Sequence, residues 1–185
     1  MNRLAPLAAI ALAVATAVAP LSAQTPQPYA GLETRPIKAL SDEQIADLKA
    51  GRGMGLALAA ELNGYPGPTH VLELAEPLGL SDSQRAKVQA LFAAMKAETV
   101  PLGEKLLAQE TELDRQFAEK TITEVSLTAA TQAISATQAT LRTAHLKYHL
   151  ATIEVLVPTQ VQQYTELRGY SSDAHDGQRH GGHRQ

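Results

Sequence analysis

Apolar residues recur along most of this chain at helical rather than alternating spacing. From Asp82 to about Lys120 they fall at Val88, Phe92, Met95, Leu102, Leu106, Leu113 and Phe117. Steps of three, four and seven put them on one stripe of an α-helix. Pro101 stands inside that stripe and removes one backbone hydrogen bond, so a kink is expected there. From Glu124 to about Leu156, the residues Leu127, Ile134, Leu141, Tyr148 and Val155 recur every seven positions, beside Ala130, Thr137, Ala144 and Ala151. Such a narrow, small-residue seam suits a close antiparallel partner, most simply the preceding helix. The same helix carries a second apolar stripe, Leu146, Leu150, Ile153 and Val157, roughly opposite Tyr148. Two apolar faces exceed what one hairpin partner covers, so this stripe is either buried under the flanking helices or offered to another protein.

The helix starts share one signature. Leu40-Ser41-Asp42-Glu43-Gln44 and Leu80-Ser81-Asp82-Ser83-Gln84 both read L-S-D-x-Q. Serine at the N-cap accepts the amide three residues on, and glutamine there reaches back to the serine amide. A weaker copy opens the last helix at Leu156-Val157-Pro158-Thr159-Gln160, with Pro158 at the first helical position, where its missing N–H costs nothing. That helix is expected over Thr159–Arg168, ending at Gly169. The first helix, from Asp42 to about Leu62, is interrupted by Gly51, Gly53 and Gly55 and is expected to bend or split. Thr69 is expected to cap a short turn running to Glu76. The predicted fold is all-α: a long antiparallel helical hairpin with shorter flanking helices.

Composition narrows the chemistry. The 185 residues include no Cys and no Trp, and only 4% are aromatic. Disulfides, thiol nucleophiles and thiolate metal sites are therefore excluded. The charge of −3 gives no nucleic-acid footprint. The uncharged Leu4–Val18 stretch after Arg3, followed by Ser22 and Ala23, reads as an export signal cleaved after Ala23, the alternative being a retained anchor. The organisation expected is a signal peptide over 1–23, a Pro-rich linker over 24–40, the helical domain over 41–170, and a disordered His/Gly-rich tail over 171–185. No other stretch reaches transmembrane length, so the mature product is expected in the periplasm.

His145-x-x-x-His149 is the sharpest chemical candidate. On a helix the two imidazoles lie about 40° apart and one turn removed, a geometry that chelates Ni, Co, Cu or Zn. The competing reading is a pair of half-buried, hydrogen-bonded histidines flanking the seam. Two ligands leave a site incomplete. His70 is the other histidine of the folded region, and Glu73 and Glu154 are the carboxylates considered as further donors. In the tail, His175, His180 and His183 with Asp173 and Asp176 form a cluster suited to loose metal binding. Gly51-Arg52-Gly53-Met54-Gly55 lacks the preceding strand and the Lys-Ser/Thr of a phosphate loop. No grouped catalytic motif occurs, and no enzyme is expected.

The repeated L-S-x-x-Q starts, with the closing run Pro158-Thr159-Gln160-Val161-Gln162-Gln163-Tyr164, resemble the LTxxQ pattern of the Spy/CpxP family over roughly residues 40–170. The resemblance implies a small periplasmic helical hairpin, dimerising into a curved cradle. Its members include ATP-independent chaperones, envelope-stress adaptors and heavy-metal sensors. It implies first a chaperone-like or adaptor role, binding unfolded clients or an envelope sensor protein on Leu146, Leu150, Ile153 and Val157. The alternative is a metal-binding sensor or resistance protein using His145 and His149.

Overall fold

Ser41 and Ser81 close their helix starts with the same pair of bonds. In the computed structural model, which describes residues 27–170, Ser41 Oγ accepts the Gln44 amide at 3.2 Å and Gln44 Oε1 accepts the Ser41 amide at 2.9 Å. Ser81 and Gln84 repeat the exchange at 3.2 and 3.1 Å. These boxes open α1 (Asp42–Lys49) and α4 (Asp82–Ala118). Between them lie α2 (Leu58–Glu61) and α3 (Pro68–Glu73); α5 (Glu124–Ile153) and α6 (Pro158–Leu167) come after α4. No strand occurs among the described residues. The chain divides after Ala30, and α1 to α6 all belong to the unit from Gly31 onward. The expected signal peptide and tail lie outside the described residues.

The hairpin is α4 against α5, 37 and 30 residues long, or roughly 55 and 45 Å at the helical rise. Thr123 starts α5 with a third box, its Oγ1 accepting the Ser126 amide at 3.1 Å. α4 runs unbroken through Pro101, which faces solvent; the Ala97 carbonyl it frees sits on that exposed side. α1 and α3 pack on α4, and α2 and α3 also reach α5. One apolar cluster gathers Val71, Leu78, Val88, Leu156 and Tyr164 at the open end of the hairpin; a second gathers Ile37, Leu48, Leu106, Leu107, Ile134 and Leu141 further along. Ile37 belongs to the segment read as a linker, and Lys38 beside it pairs with Asp114 at 3.0 Å, so this part is fastened to α4.

Of three local expectations, the break after α1 is met and two are revised. The Asp42–Leu62 helix splits, because Gly51 takes a left-handed φ of +59° and ends α1. The turn expected to start at Thr69 starts earlier. Pro68 occupies N1 and Gly67 the cap, without a side-chain bond, since proline's fixed φ is already helical. The heptad seam drifts: Ile134, Thr137, Leu141 and Ala144 are buried, but beyond them the buried line passes to His145, His149 and Thr152, leaving Tyr148 and Val155 half-buried. A straight helix at 3.6 residues per turn slips about 20° per heptad, which moves the contact line this way.

Two close fits lock the helices. Gly103 lies where α1 crosses α4; a Cβ there would stand 2.2 Å from the Leu48 carbonyl oxygen. The motif glutamines clasp each other at the open end. Gln84 Nε2 donates to Gln160 Oε1 at 2.8 Å, and Gln160 Nε2 donates back to Gln84 Oε1 at 3.2 Å and to the Leu78 carbonyl at 3.2 Å. Val157 has no acceptor to offer α6, so only half of that box forms, Gln160 Oε1 accepting the Val157 amide at 3.0 Å.

Candidate functional site

The drift of the buried line turns both motif histidines inward, onto a cavity of about 470 Å³. Its wall is built from the glycine loop after α1, from α2 and α3, and from the facing sides of α4 and α5. His145 is 3% exposed. Its Nε2 is buried without a hydrogen-bond partner, and its other side lies against the bare Cα of Gly53, where a Cβ would stand 3.7 Å from Nδ1. Burial first, then His149 and Lys96, push its pKa below 6.5, so the ring is held neutral, the form that ligates metals.

His149 sits one turn on. Its Nδ1 lies 2.6 Å from the Tyr65 carbonyl. A carbonyl only accepts, so Nδ1 carries the hydrogen, and in the neutral ring Nε2 keeps its lone pair. Metal-binding imidazoles are commonly oriented by such a bond. Gly67 makes room for the ring, since a Cβ there would be 2.9 Å from Nε2 and 2.7 Å from Cε1.

Sequence reasoning missed Glu61, at the end of α2. The residue is 7% exposed. Oε1 accepts the Tyr164 hydroxyl in a short bond and the Tyr170 hydroxyl at 3.3 Å, with Arg168 Nε 3.7 Å away. Oε2 is buried and unpartnered, 3.7 Å from His149 Nδ1. Burial and the Glu61 carboxylate raise the Tyr164 phenol far above its usual range, so it stays a donor. The only sequence signal was a glutamate on a short stretch rich in Leu and Ala.

The other candidates are dispersed. His70 lines the same cavity, but its Nδ1 is 2.8 Å from Glu73 Oε2 near the surface. Glu154 is exposed at the end of α5 and forms no part of the wall. Met54, Met95, Arg52 and Lys96 add polarisable and cationic groups to the lining; Arg52 pairs with Asp47, and the Lys96 ammonium is tied to the Ala50 carbonyl. Among the described residues no three His, Asp or Glu converge closely enough to cage a cation. Of the second apolar stripe, Leu150 and Val157 are 57% and 49% exposed, while Leu146 and Ile153 are half-buried. His175, His180 and His183 lie outside the described residues.

Comparison with known proteins places this arrangement. A family model described as heavy-metal resistance matches residues 53–163, which takes in most of the glycine loop and of the cavity lining, the hairpin and most of α6. No curated protein and no solved structure matches the chain. No helix among the described residues is long and apolar enough to cross a membrane. With well over half of its length matched, the chain belongs to the heavy-metal resistance family, a helical, non-enzymatic family of the Spy/CpxP type that its helix starts resemble.

Proposed function

We propose that the cavity binds a divalent transition-metal ion through His145 and His149, with Glu61 as the nearest carboxylate, in an exported protein of metal resistance. The observation that carries this reading is the buried, unpartnered Nε2 of His145 beside a second imidazole whose tautomer is set by the Tyr65 carbonyl. An orphaned buried nitrogen costs about 1–3 kcal/mol, a cost that a ligand removes. The donor set fits the borderline metals Ni, Co, Cu and Zn in kind: neutral imidazole, carboxylate and no thiolate. Among the described residues no three donors converge, so binding in the cavity requires side-chain adjustment at Glu61 or His70. Calorimetric titration with each metal tests this on the wild type, on His145→Ala/His149→Ala, and on a chain truncated after Tyr170. Binding lost only on truncation would assign the metal to the tail and refute the cavity.

A second reading, chaperone-like binding of unfolded or partner proteins, is favoured by the exposed Leu150 and Val157 on the outer side of the α5–α6 junction. It predicts near-stoichiometric suppression of client aggregation that drops when both are changed to Ser. Suppression that the double variant retains would remove that surface from consideration.

A further inference from the structure

A second recess lies on the other side of the glycine loop. It is a groove of about 500 Å³ lined by α1, α4 and α5, and Met54 is the one residue it shares with the histidine cavity. Its hydrocarbon comes from Leu40, Leu48, Leu56, Leu106, Leu141 and Met54, with no aromatic ring in the wall. Leu48, Leu106 and Leu141 are buried, while Leu40, Met54 and Leu56 keep part of their surface open. Arg142 is the only charged residue of this wall, which contains neither Asp nor Glu. Its side chain is exposed and forms no ion pair among the described residues. It is also the only Arg, Lys, Asp or Glu on α5 between Glu124 and Lys147. The polar groups lining the groove with it are uncharged. Among them, Gln44 has its Oε1 engaged by the Ser41 amide, which leaves its N–H groups to donate.

We propose that this groove binds a free single-chain anionic amphiphile of the fatty-acid class, with its alkyl chain among the leucines and its carboxylate on Arg142. The volume falls in the range of small-molecule sites, roughly 300–1,000 Å³. Aliphatic walls give a planar aromatic ligand nothing to stack on, whereas an alkyl chain gains from burial alone. Met54, unbranched and polarisable, can follow chains of different shape. A guanidinium grips a carboxylate through two parallel N–H bonds, and no acid in the wall competes for it. A second copy of the protein packed groove to groove would instead bring guanidinium toward guanidinium. The site stands apart from His145 and His149 and does not rest on the metal reading.

Calorimetry with sodium dodecanoate, kept below micelle formation at neutral pH, tests this on the full chain. The wild type should bind one equivalent. Decanoate, two methylenes shorter, should bind about tenfold more weakly, and dodecyltrimethylammonium should bind more weakly than dodecanoate. Arg142→Gln should weaken dodecanoate about three- to tenfold and erase the preference over the cationic amphiphile. Lys87→Gln, an equal charge change on the exposed side of α4 outside the groove, should change neither. Ser135 and Ala139 line the groove from exposed positions of α5, so Ser135→Leu and Ala139→Leu should fill it without disturbing the core. Each should weaken dodecanoate at least tenfold at an unchanged thermal midpoint. No dodecanoate binding, equal affinity for both headgroups, or filling variants that bind as the wild type would each overturn the proposal. A wild-type dimer that binds no dodecanoate, and that Ala139→Glu dissociates in light scattering, would assign the groove to a second copy and overturn it as well.

Discussion

Replacing Gly103 with alanine sets two effects of opposite sign against each other. In an unobstructed helix interior the change is favourable by about 1 kcal/mol, because glycine is the poorer helix former. Here the new methyl would stand 2.2 Å from the Leu48 oxygen and 2.8 Å from its carbonyl carbon, against 3.4 Å or more in an ordinary contact. The obstacle is backbone, so no rotamer change relieves it, and α1 must retreat from α4 by about 1 Å. Overpacking of this kind costs about 1–3 kcal/mol. Retreat also loosens Leu48, which is 2% exposed and whose full burial is worth about 1.5–3 kcal/mol. Net of the helix gain, Gly103→Ala should destabilise the protein by about 2–4 kcal/mol. For a chain of this size that is a fall of roughly 5–15 °C in Tm. Far-UV circular dichroism during a thermal melt reads this directly. Gly64→Ala is the control: φ is +80° with nothing within 4 Å, so it should lose only the 1–2 kcal/mol or so of left-handed strain. A Gly103→Ala protein melting at or above the wild-type temperature would refute the close crossing of α1 on α4.

Other consequences are testable in the same preparations. Gly67→Ala keeps an ordinary extended backbone at φ −86° but drives a methyl into the His149 ring; a clash of about 1–3 kcal/mol should lower Tm by roughly 2–12 °C, and the displaced ring should bind metal more weakly in calorimetry, whereas an unchanged Tm and affinity would refute the contact. The pKa of His145 is depressed below 6.5, so the unfolded state takes up its proton first as pH falls. Stability is then level above pH 6.5 and declines below it, by at most about 1.4 kcal/mol per pH unit for one proton. Urea midpoints at pH 7.5 and 5.5 should show a smaller decline in His145→Gln, and an equal decline would rule this source out. Gln160→Ala strips a partner from Gln84, from the Leu78 carbonyl and from the Val157 amide, and should cost about 1–3 kcal/mol. A double-mutant cycle with Gln84→Ala should return a coupling of about 0.5–3 kcal/mol; strict additivity would dissolve the clasp.

What was legible in the sequence was whatever local chemistry decides. Ser41, Ser81 and their glutamines meet partners three residues away, so spacing alone announced the starts of α1 and α4. The histidine pair was visible for the same reason, four residues apart on one helix. The Pro68 start of α3 was announced too, by the same N1 preference that located α6, and Thr69 drew attention from it. Glu61 was invisible because its partner Tyr164 is 103 residues away and neither residue type signals the other. The reciprocal bond between Gln84 and Gln160 escaped notice because each glutamine already had a sufficient local role as a cap. The seam erred at both ends of a strict heptad laid along a straight helix: Leu127 at its start is 37% exposed, and Tyr148 and Val155 are only half-buried.

The glutamine clasp also bears on the order in which the molecule assembles. Its two residues are 76 positions apart, whereas the turn between α4 and α5 spans only a few residues beyond Ala118. Contacts close in sequence are reached before those that must close a long loop. The hairpin should therefore zip from the Thr123 turn toward its open end, and the Gln84–Gln160 exchange should form among the last contacts, shutting a ring that the chain has already drawn. An unfolding chain breaks that ring first, so mutations at the clasp should speed unfolding and leave the folding rate nearly unchanged.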